Sequence, residues 1–267
     1  MSAARQIARN IRVHDRIARS YDATHGEIFN DIEQTRLRAS LERARVGVAT
    51  GSQPLKALDF GCGSGNLSRH LLALGMDVVA ADVSRAFLDV VEQRFPADPL
   101  STLLLTGDGL PDTPDGQFDF AAAYSVLHHI PHYLAAVREM ERVVRPGGVL
   151  LLDHEPTEAF WAQPAIFREF EAAALKPDWR KFLKPSNYVH KVRRLFDPRH
   201  TNEGDIHVWP DDHVEWPKIV ALLEDEGFEI LFSEDYLLFR ERHRIEVYRQ
   251  YENKCADMRV MAFRKRG

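Results

Sequence analysis

Three closely spaced glycines follow a short apolar segment in the first quarter of the chain. Residues 58–60 lead into Gly61, Gly63 and Gly65, and a helical pattern starts directly after them. Glycine lets backbone N–H groups approach a ligand closely, and the N-terminus of a helix favours negative charge. The pattern therefore predicts a ligand-binding turn between a strand and a helix.

Such a turn can hold NAD, FAD or S-adenosylmethionine (SAM). The spacing of the glycines distinguishes among these ligands. The pattern is G-x-G-x-G, whereas dinucleotide sites use G-x-G-x-x-G, which leaves room for a pyrophosphate. Asp59 stands two positions before the first glycine. Its carboxylate can bind an ammonium group there and would repel a pyrophosphate. Both features favour SAM.

Two more aspartates are expected at the same edge of the fold. Asp82 ends the second apolar run, about 20 residues after the first glycine, where a carboxylate can accept hydrogen bonds from ribose hydroxyls. Asp108 closes the third run, where an adenine edge would lie. Each aspartate alone can cap a helix or form a turn. Together with Asp59 they stand at three successive strand ends, which predicts a ligand site at that edge.

The elements that would position these residues alternate along the chain. Short apolar runs separated by helical patterns predict strands at residues 55–60, 76–82, 100–108, 118–126 and 149–155. The alternation resumes near the C-terminus, with a helix and two strands at residues 216–226, 228–235 and 257–265. Strands that are apolar on both faces and alternate with helices form a parallel sheet with right-handed crossovers. The predicted fold class is α/β, a Rossmann-like, doubly wound and mostly parallel sheet.

Two segments fall outside this alternation. Residues 1–50 carry apolar side chains at helical spacing and are expected to form N-terminal lid helices. Residues 157–212 are rich in aromatic and charged side chains, and a loop of that length is unusual in a compact domain. We expect them to form a helical cap insertion between the fifth and sixth strands that binds the acceptor. Residues 51–156 and 213–267 would then be the core.

Two shorter stretches allow more than one interpretation. Residues 204–213 alternate polar and aromatic types, which suits either an acceptor-facing loop or a surface turn. Residues 236–253 carry aromatic side chains that fit either a strand or a helix.

Sequence motifs in residues 55–156 follow the order found in class I SAM-dependent methyltransferases, and the chain resembles that family. The motifs are LDFGCGSGNLSRHL, VVAADVS, GDGLP, FDFAAAYSVLHHIP and VREMERVVRPGGVLLLDHEP. A later segment, EWPKIVALLEDEGFEI, is similar to the family's usual helix and strand before the last strand. The resemblance covers nearly the whole core and implies a methyltransferase that uses SAM.

The resemblance also implies roles for individual residues. Gly61 and Gly63 would flank the methionine moiety of SAM, and Asp82 would hold its ribose. Val83 would pack on the adenine, and Asp108 would meet the adenine amine. The other cofactor-binding candidates are Tyr21, which would fold over the carboxylate end of the cofactor, and Asp59, Gly65, Gly109 and Ser125.

Histidines and acids cluster after the fourth and fifth strands. His128 and His129 follow the fourth strand, and Asp153, His154 and Glu155 follow the fifth. Methyl transfer to a hydroxyl needs positioning and removal of a proton, for which histidine is suited near neutral pH. In similar small-molecule O-methyltransferases the first histidine of such a pair tends to be the base. His128 is therefore the first catalytic candidate, followed by His154 and His129, with His154 or Asp153 to orient or assist it.

Other features of the sequence indicate which kinds of partner the protein binds and in which compartment of the cell it acts. The acids and histidines form no compact ligand motif, so no metal is expected. Cys62 and Cys255 lack disulfide or metal spacing, which indicates a reducing compartment. The formal net charge of −5 disfavours a nucleic-acid surface. No apolar run is long enough to span a bilayer, and the N-terminus does not read as a secretory signal. We expect a cytoplasmic protein with a small-molecule acceptor and no nucleic-acid or membrane partner.

The function predicted from these observations is SAM-dependent transfer of a methyl group to a hydroxyl of a small molecule, such as a sugar, a polyketide or a related metabolite. A small-molecule N-methyltransferase is the nearest alternative, because an amine needs little or no base. An NAD-dependent oxidoreductase is disfavoured by the glycine spacing, by Asp59 and by the lack of a Tyr-x-x-x-Lys pair in a suitable helix. A non-catalytic SAM-binding module is a further alternative.

Overall fold

A seven-stranded sheet forms the centre of the computed structural model, which describes residues 3–49, 53–107, 109–110, 112–176 and 214–267. The strands are β1 Lys56–Phe60, β2 Asp77–Asp82, β3 Leu100–Leu104, β4 Phe118–Tyr124, β5 Val144–Pro156, β6 Phe228–Tyr236 and β7 Met258–Lys265. Their order across the sheet is β3-β2-β1-β4-β5-β7-β6. Pairing is parallel from β3 to β5, and β7 is antiparallel to both of its neighbours. The α/β, Rossmann-like, mostly parallel sheet predicted from the sequence is confirmed.

Helices precede and connect these strands. Within the described ranges they are α1 Ala3–Ile17, α2 Tyr21–Thr24, α3 Asp31–Val46, α4 Asn66–Ala73, α5 Arg85–Arg94, α6 Tyr133–Val143, α7 Glu158–Ala162, α8 Ala165–Ala174, α9 Trp216–Asp225 and α10 Ile245–Tyr251. Short 3-10 turns lie at Ala18–Ser20 and Leu127–His129.

The helices cover both faces of the sheet, and strand side chains alternate between two cores. On β5, Leu150 and Leu152 pack in the core that contains α6 and α9, and Val149 and Leu151 pack in the core that contains α3 and α4. Successive side chains of a strand point to opposite faces, so a strand covered on both faces is apolar throughout. This burial explains the continuous apolar runs in the sequence.

The third strand is shorter than its apolar run suggested. It ends at Leu104, which pairs with Asp82, the last residue of β2. Because β3 lies at the edge of the sheet, β2 is its single neighbour and the ladder stops where β2 stops. Beyond it, Thr106 and Gly109 pair with each other in an isolated antiparallel bridge.

The structure describes part of the segments whose conformation could not be decided from the sequence. Residues 236–253 contain the end of β6, a connecting stretch and α10. The predicted cap begins with α7 and α8, and α8 packs Phe167 and Phe170 against Tyr248 of α10. Residues 204–213 and Asp108 lie outside the described residues. The roles of residues 1–50 as a lid and of residues 157–212 as a cap stay predictions.

Candidate cofactor and acceptor site

The glycine turn between β1 and α4 presents backbone to an open space. Gly61 and Gly63 have φ angles of +74° and +50°, in the left-handed region that favours glycine. A Cβ atom on Gly61 would lie 2.6 Å from Cγ2 of Val126, whereas a Cβ atom on Gly63 would meet nothing within 4 Å. The turn therefore packs tightly against the end of β4 at its first glycine and faces a cavity at its second.

Two buried carboxylates stand beside this turn. Asp59 accepts a hydrogen bond from Oγ of Ser68 at 2.6 Å, and burial raises the pKa of Asp59 to about 7. Asp82 accepts hydrogen bonds from the N–H groups of Gly63 at 2.9 Å and Ser84 at 2.8 Å. Burial also raises the pKa of Asp82. The two acids at the ends of β1 and β2 thus face one cavity.

The cavity lies between the glycine turn, the carboxyl ends of the strands and the N-terminal helices. Most of the predicted cofactor-binding residues line it, namely Tyr21, Asp59, Gly61, Gly63, Asp82, Val83 and Ser125. His129 lines it as well, whereas Gly65, Gly109, His128 and His154 are not among the described residues that line it. Gly65 is instead the N-cap residue of α4.

Sequence reasoning missed several residues that line this cavity. Asn10 and His14 of α1, Phe29 before α3 and Phe87 of α5 all contribute to its wall. Asn10 and His14 are four residues apart, which puts their side chains on one face of α1, but the spacing does not indicate what that face contacts. Asn10 Nδ2 also donates to the carbonyl oxygen of His129 at 3.3 Å, which joins α1 to the turn after β4.

The residues around the cavity suit SAM chemically. Ser64 Oγ and Asn66 Nδ2 are buried in its wall and have no hydrogen-bond partner among the described residues. Asp59 offers a buried acceptor for an ammonium group. Val83 and Phe87 offer apolar surface near Asp82, as an adenosine would require. Orphaned polar atoms next to an apolar slot are what a polar, nucleoside-containing ligand would satisfy.

The three candidate histidines lie in different environments. The ring centroids of His128 and His129 are 4.2 Å apart, and those of His129 and His14 are 5.5 Å apart. His154 is buried, with its ring 4.8 Å from that of Tyr124, and its Nδ1 lies 3.2 Å from Oη of Tyr236. Burial and the nearby Arg36 cation lower the pKa of His154 well below its ordinary value. The structure thus brings His128 and His129 together and encloses His154 between two tyrosines.

The carboxyl end of β5 departs from regular strand geometry. The register of its pairing with β7 shifts between Leu152 and Glu155, and His154 has a φ of +63°. Ser125, at the adjacent end of β4, has a φ of +61° and donates its N–H to the carbonyl oxygen of Asp153 at 3.0 Å. Bulges and left-handed non-glycine residues concentrate at functional sites.

The two acids at this strand end have different partners. Asp153 is fully buried and pairs with Arg36 of α3 at 3.1 Å, and it also accepts from Oη of Tyr236 at 3.2 Å. Glu155 lies 2.8 Å, through Oε2, from Nδ1 of His128. The acid next to His128 is therefore Glu155, and Asp153 belongs to a buried cluster with Arg36.

The described residues contain neither a metal-binding cluster nor a helix that could span a membrane. No group of three or more His, Cys, Asp or Glu side chains there is arranged to hold a metal ion. No helix in the described ranges is both long enough and apolar enough to cross a membrane.

Comparison with known proteins connects this site to a family. Residues 58–152 match the family described as "Methyltransferase domain". The demethylmenaquinone methyltransferase of Streptomyces griseus is 28% identical over 217 residues, which cover 80% of this chain and 84% of that protein. The ubiquinone biosynthesis O-methyltransferase of Pseudomonas aeruginosa is 30% identical over 166 residues, which cover 59% of this chain and 68% of that protein.

Solved structures give the same result for the fold. A SAM-dependent methyltransferase from Mesorhizobium loti superposes with a TM-score of 0.57 at 18% identity, covering 91% of this chain and 99% of that one. A second, from Methanosarcina mazei, has a TM-score of 0.53 at 18% identity and covers 81% and 94%. The chain therefore belongs to the class I methyltransferases, which are enzymes that use S-adenosylmethionine as the methyl donor.

Proposed function

We propose that this enzyme methylates a hydroxyl group of a small molecule and that His128 removes the proton of that hydroxyl. The observation that carries the proposal is the place of His128. Its ring touches that of His129, which lines the cavity, at the end of β4 that borders the glycine turn. The side chain of His128 is partly buried, with 13% of it exposed, whereas that of Glu155 beside it is 1% exposed.

Bound SAM supplies an electrophilic methyl group on a sulfonium that is its own leaving group. A neutral hydroxyl is a weak nucleophile, and a positioned base that takes its proton contributes about 10²–10⁴-fold to the rate. In the transfer, the O–H bond of the acceptor and a C–S bond break, a C–O bond forms, and the proton goes to His128. The chain's own task is to hold the acceptor oxygen, accept its proton and exclude water.

The other two histidines suit other roles. His129 lines the cavity and lies opposite His14 of α1, so we assign it to the wall of the cofactor site. His154 is buried between tyrosines and is strongly disfavoured as a cation, which makes it a poor proton acceptor.

Contacts of α1 and α2 support the role of residues 1–50 as a lid. Oγ of Ser84, the N-cap of α5, donates to Asp15 of α1 at 2.5 Å. At the other end of α5, Arg94 pairs with Asp22 of α2 at 2.8 Å. Arg94 also donates to the carbonyl oxygen of Ser64 in the glycine turn at 2.7 Å. These bonds fasten α1 and α2 beside the cavity, where a lid would lie.

The cavity wall favours an aromatic hydroxyl over a sugar as the acceptor. Ile28, Phe29, Tyr124 and Ile130 give it apolar and aromatic surface on the side of β4 and the lid. A phenolic ring can pack on such surface, whereas a sugar would leave most of its hydroxyls without partners. The names of the relatives refer to demethylmenaquinone and to ubiquinone biosynthesis, which agrees with a ring-bearing acceptor.

An acceptor screen tests the proposal. The purified enzyme is incubated with SAM and matched phenols, anilines and sugars, and methylated products are identified by mass spectrometry. We expect a methyl ether from at least one phenol and a large loss of that product in His128→Asn with unchanged S-adenosylhomocysteine binding. Exclusive methylation of an aniline nitrogen, undiminished in the variant, would replace this proposal with an N-methyltransferase.

A further inference from the structure

The carboxylate of Glu155 is surrounded by hydrogen-bond donors. Oε1 accepts from the backbone N–H groups of Val126 at 2.8 Å and Leu127 at 2.7 Å. Oε2 accepts from the backbone N–H of His128 at 3.2 Å and lies 2.8 Å from Nδ1 of the same residue. Glu155 is 1% exposed, so these bonds form away from solvent. Three backbone N–H donors stabilise a negative charge on the buried carboxylate.

An ionised carboxylate can only accept hydrogen bonds, so it fixes the tautomer of the ring beside it. Nδ1 of His128 must carry the hydrogen that Glu155 accepts. In a neutral imidazole the second nitrogen, Nε2, is then the one with a lone pair. The buried charge also stabilises the imidazolium that would form when Nε2 takes a proton.

We infer that Glu155 is a positioning residue that sets the tautomer and orientation of His128 and thereby makes Nε2 the proton acceptor. This inference rests on the function proposed above. It differs from the expectation from sequence, in which Asp153 or His154 would orient the base. Asp153 pairs instead with Arg36 and Tyr236, and Nδ1 of His154 lies beside Oη of Tyr236.

The strand bulge explains why this partner is difficult to identify from sequence. In a regular strand Asp153 and Glu155 would point to the same face. The register shift between Leu152 and Glu155, with His154 in left-handed geometry, changes the directions of these side chains. The carboxylate of Glu155 consequently contacts the backbone N–H groups of Val126, Leu127 and His128 after β4, and that of Asp153 contacts α3.

The substitution Glu155→Gln isolates the effect on the tautomer. The glutamine oxygen can still accept the backbone N–H groups of Val126 and Leu127, so two of the three bonds to the turn are kept. Its amide N–H would face Nδ1 of His128 and donate to it, which moves the ring hydrogen to Nε2 and blocks proton removal. Glu155→Asp keeps the charge on a shorter side chain and should retain part of the activity. Glu234→Gln removes an exposed carboxylate and is the control.

The first readout is the tautomer itself, which does not depend on turnover. Nitrogen-15 shifts of the His128 ring should report a protonated Nδ1 in the wild type and a protonated Nε2 in Glu155→Gln. S-Adenosylhomocysteine binding and the midpoint of thermal unfolding serve as checks that the variants fold. An Nδ1-protonated ring in the glutamine variant would overturn the inference, whatever acceptor the enzyme uses.

The second readout is turnover with two phenols, a catechol and a nitrocatechol that is already ionised at the assay pH. Glu155→Gln should lower kcat about 10²–10³-fold on the catechol and much less on the nitrocatechol, which needs no base. Combining Glu155→Gln with His128→Asn should lower kcat no further than His128→Asn does alone. Equal losses on both phenols would mean a structural role and would refute the inference. If the wild type methylates no hydroxyl at all, the proposed function fails, and the tautomer measurement still decides the role of Glu155.

Discussion

Asp82 accepts a hydrogen bond from the backbone N–H of Gly63, with 2.9 Å between nitrogen and Oδ2. The carboxylate that ends β2 therefore holds the turn that follows β1. Its other oxygen accepts from the N–H of Ser84, the N-cap of α5. One acid thus joins the glycine turn to the helix on which the N-terminal segment is fastened through Asp15.

Substitution of Asp82 should disrupt cofactor binding. In Asp82→Ala the acceptor for the Gly63 N–H is lost together with the group proposed to hold the ribose. Hydrogen bonds to charged groups contribute about 1.5–3 kcal/mol, so the Kd for S-adenosylhomocysteine should rise about 10–100-fold. Calorimetric titration measures it, with the exposed Asp89→Ala on α5 as the control. An unchanged Kd would remove Asp82 from the cofactor site.

Cofactor affinity should depend on pH through Asp59. Its pKa is raised by burial to about 7, so the carboxylate gains its charge only as the pH rises through that value. The affinity for an ammonium-bearing ligand should therefore increase from pH 6 to pH 8, because the Asp59 carboxylate becomes charged over this range. In Asp59→Asn, affinity should be low and its pH dependence over this range should be lost. A pH dependence equal to that of the wild type would contradict the assignment.

The same group should affect stability in the opposite direction. The folded protein holds the Asp59 proton up to about pH 7, whereas the unfolded chain releases it near the ordinary value of 3.8. Its contribution to the stability of the cofactor-free protein is therefore fully present below that value and is lost as the pH rises through 7. Asp59→Asn should unfold at a higher temperature than the wild type at pH 8 and show little advantage at pH 4.

The buried pair of Arg36 and Asp153 gives a test of stability. Removing one partner of a buried ion pair leaves an uncompensated charge and costs about 3–5 kcal/mol. Arg36→Ala should lower the free energy of unfolding by that order, as measured by urea denaturation. Arg38→Ala breaks an exposed pair with Glu42 on the same helix and should cost no more than about 0.5 kcal/mol. Equal losses in the two variants would refute this ranking.

The glycine turn and two of the acids at the carboxyl edge of the sheet could be predicted from the sequence, because they follow a local pattern. The glycine turn and the acids Asp59 and Asp82 come directly after apolar runs, and a parallel sheet brings the ends of such runs to one edge. The left-handed φ of Gly61 and Gly63 agrees with the reason that glycine is needed there.

Other parts of the site depend on contacts between distant segments. His14 reaches the cavity because α1 packs beside α5, which its own helical pattern does not indicate. The pairing of His128 with Glu155 depends on the bulge in β5, and a one-residue irregularity reverses the alternation from which side-chain directions are inferred. The early end of β3 depends likewise on where β2 stops.

Measurements of S-adenosylhomocysteine binding should distinguish the roles of His128 and His129. His129 lines the cavity, so His129→Ala should weaken S-adenosylhomocysteine binding. His128→Ala should leave that Kd unchanged, because among the described residues the cavity wall does not include His128. Calorimetry on both variants checks this, and equal losses would indicate that both residues serve the cofactor.

The pH dependence of kcat with a phenolic acceptor and saturating SAM tests the central claim most directly. In the wild type, kcat should fall as the pH is lowered, because a base that already holds a proton cannot remove one from the acceptor. His128→Asn should be about 10²–10⁴-fold slower at neutral pH, and its remaining rate should follow the ionisation of the phenol itself. A variant with the rate and the pH profile of the wild type would contradict the account and show that His128 removes no proton.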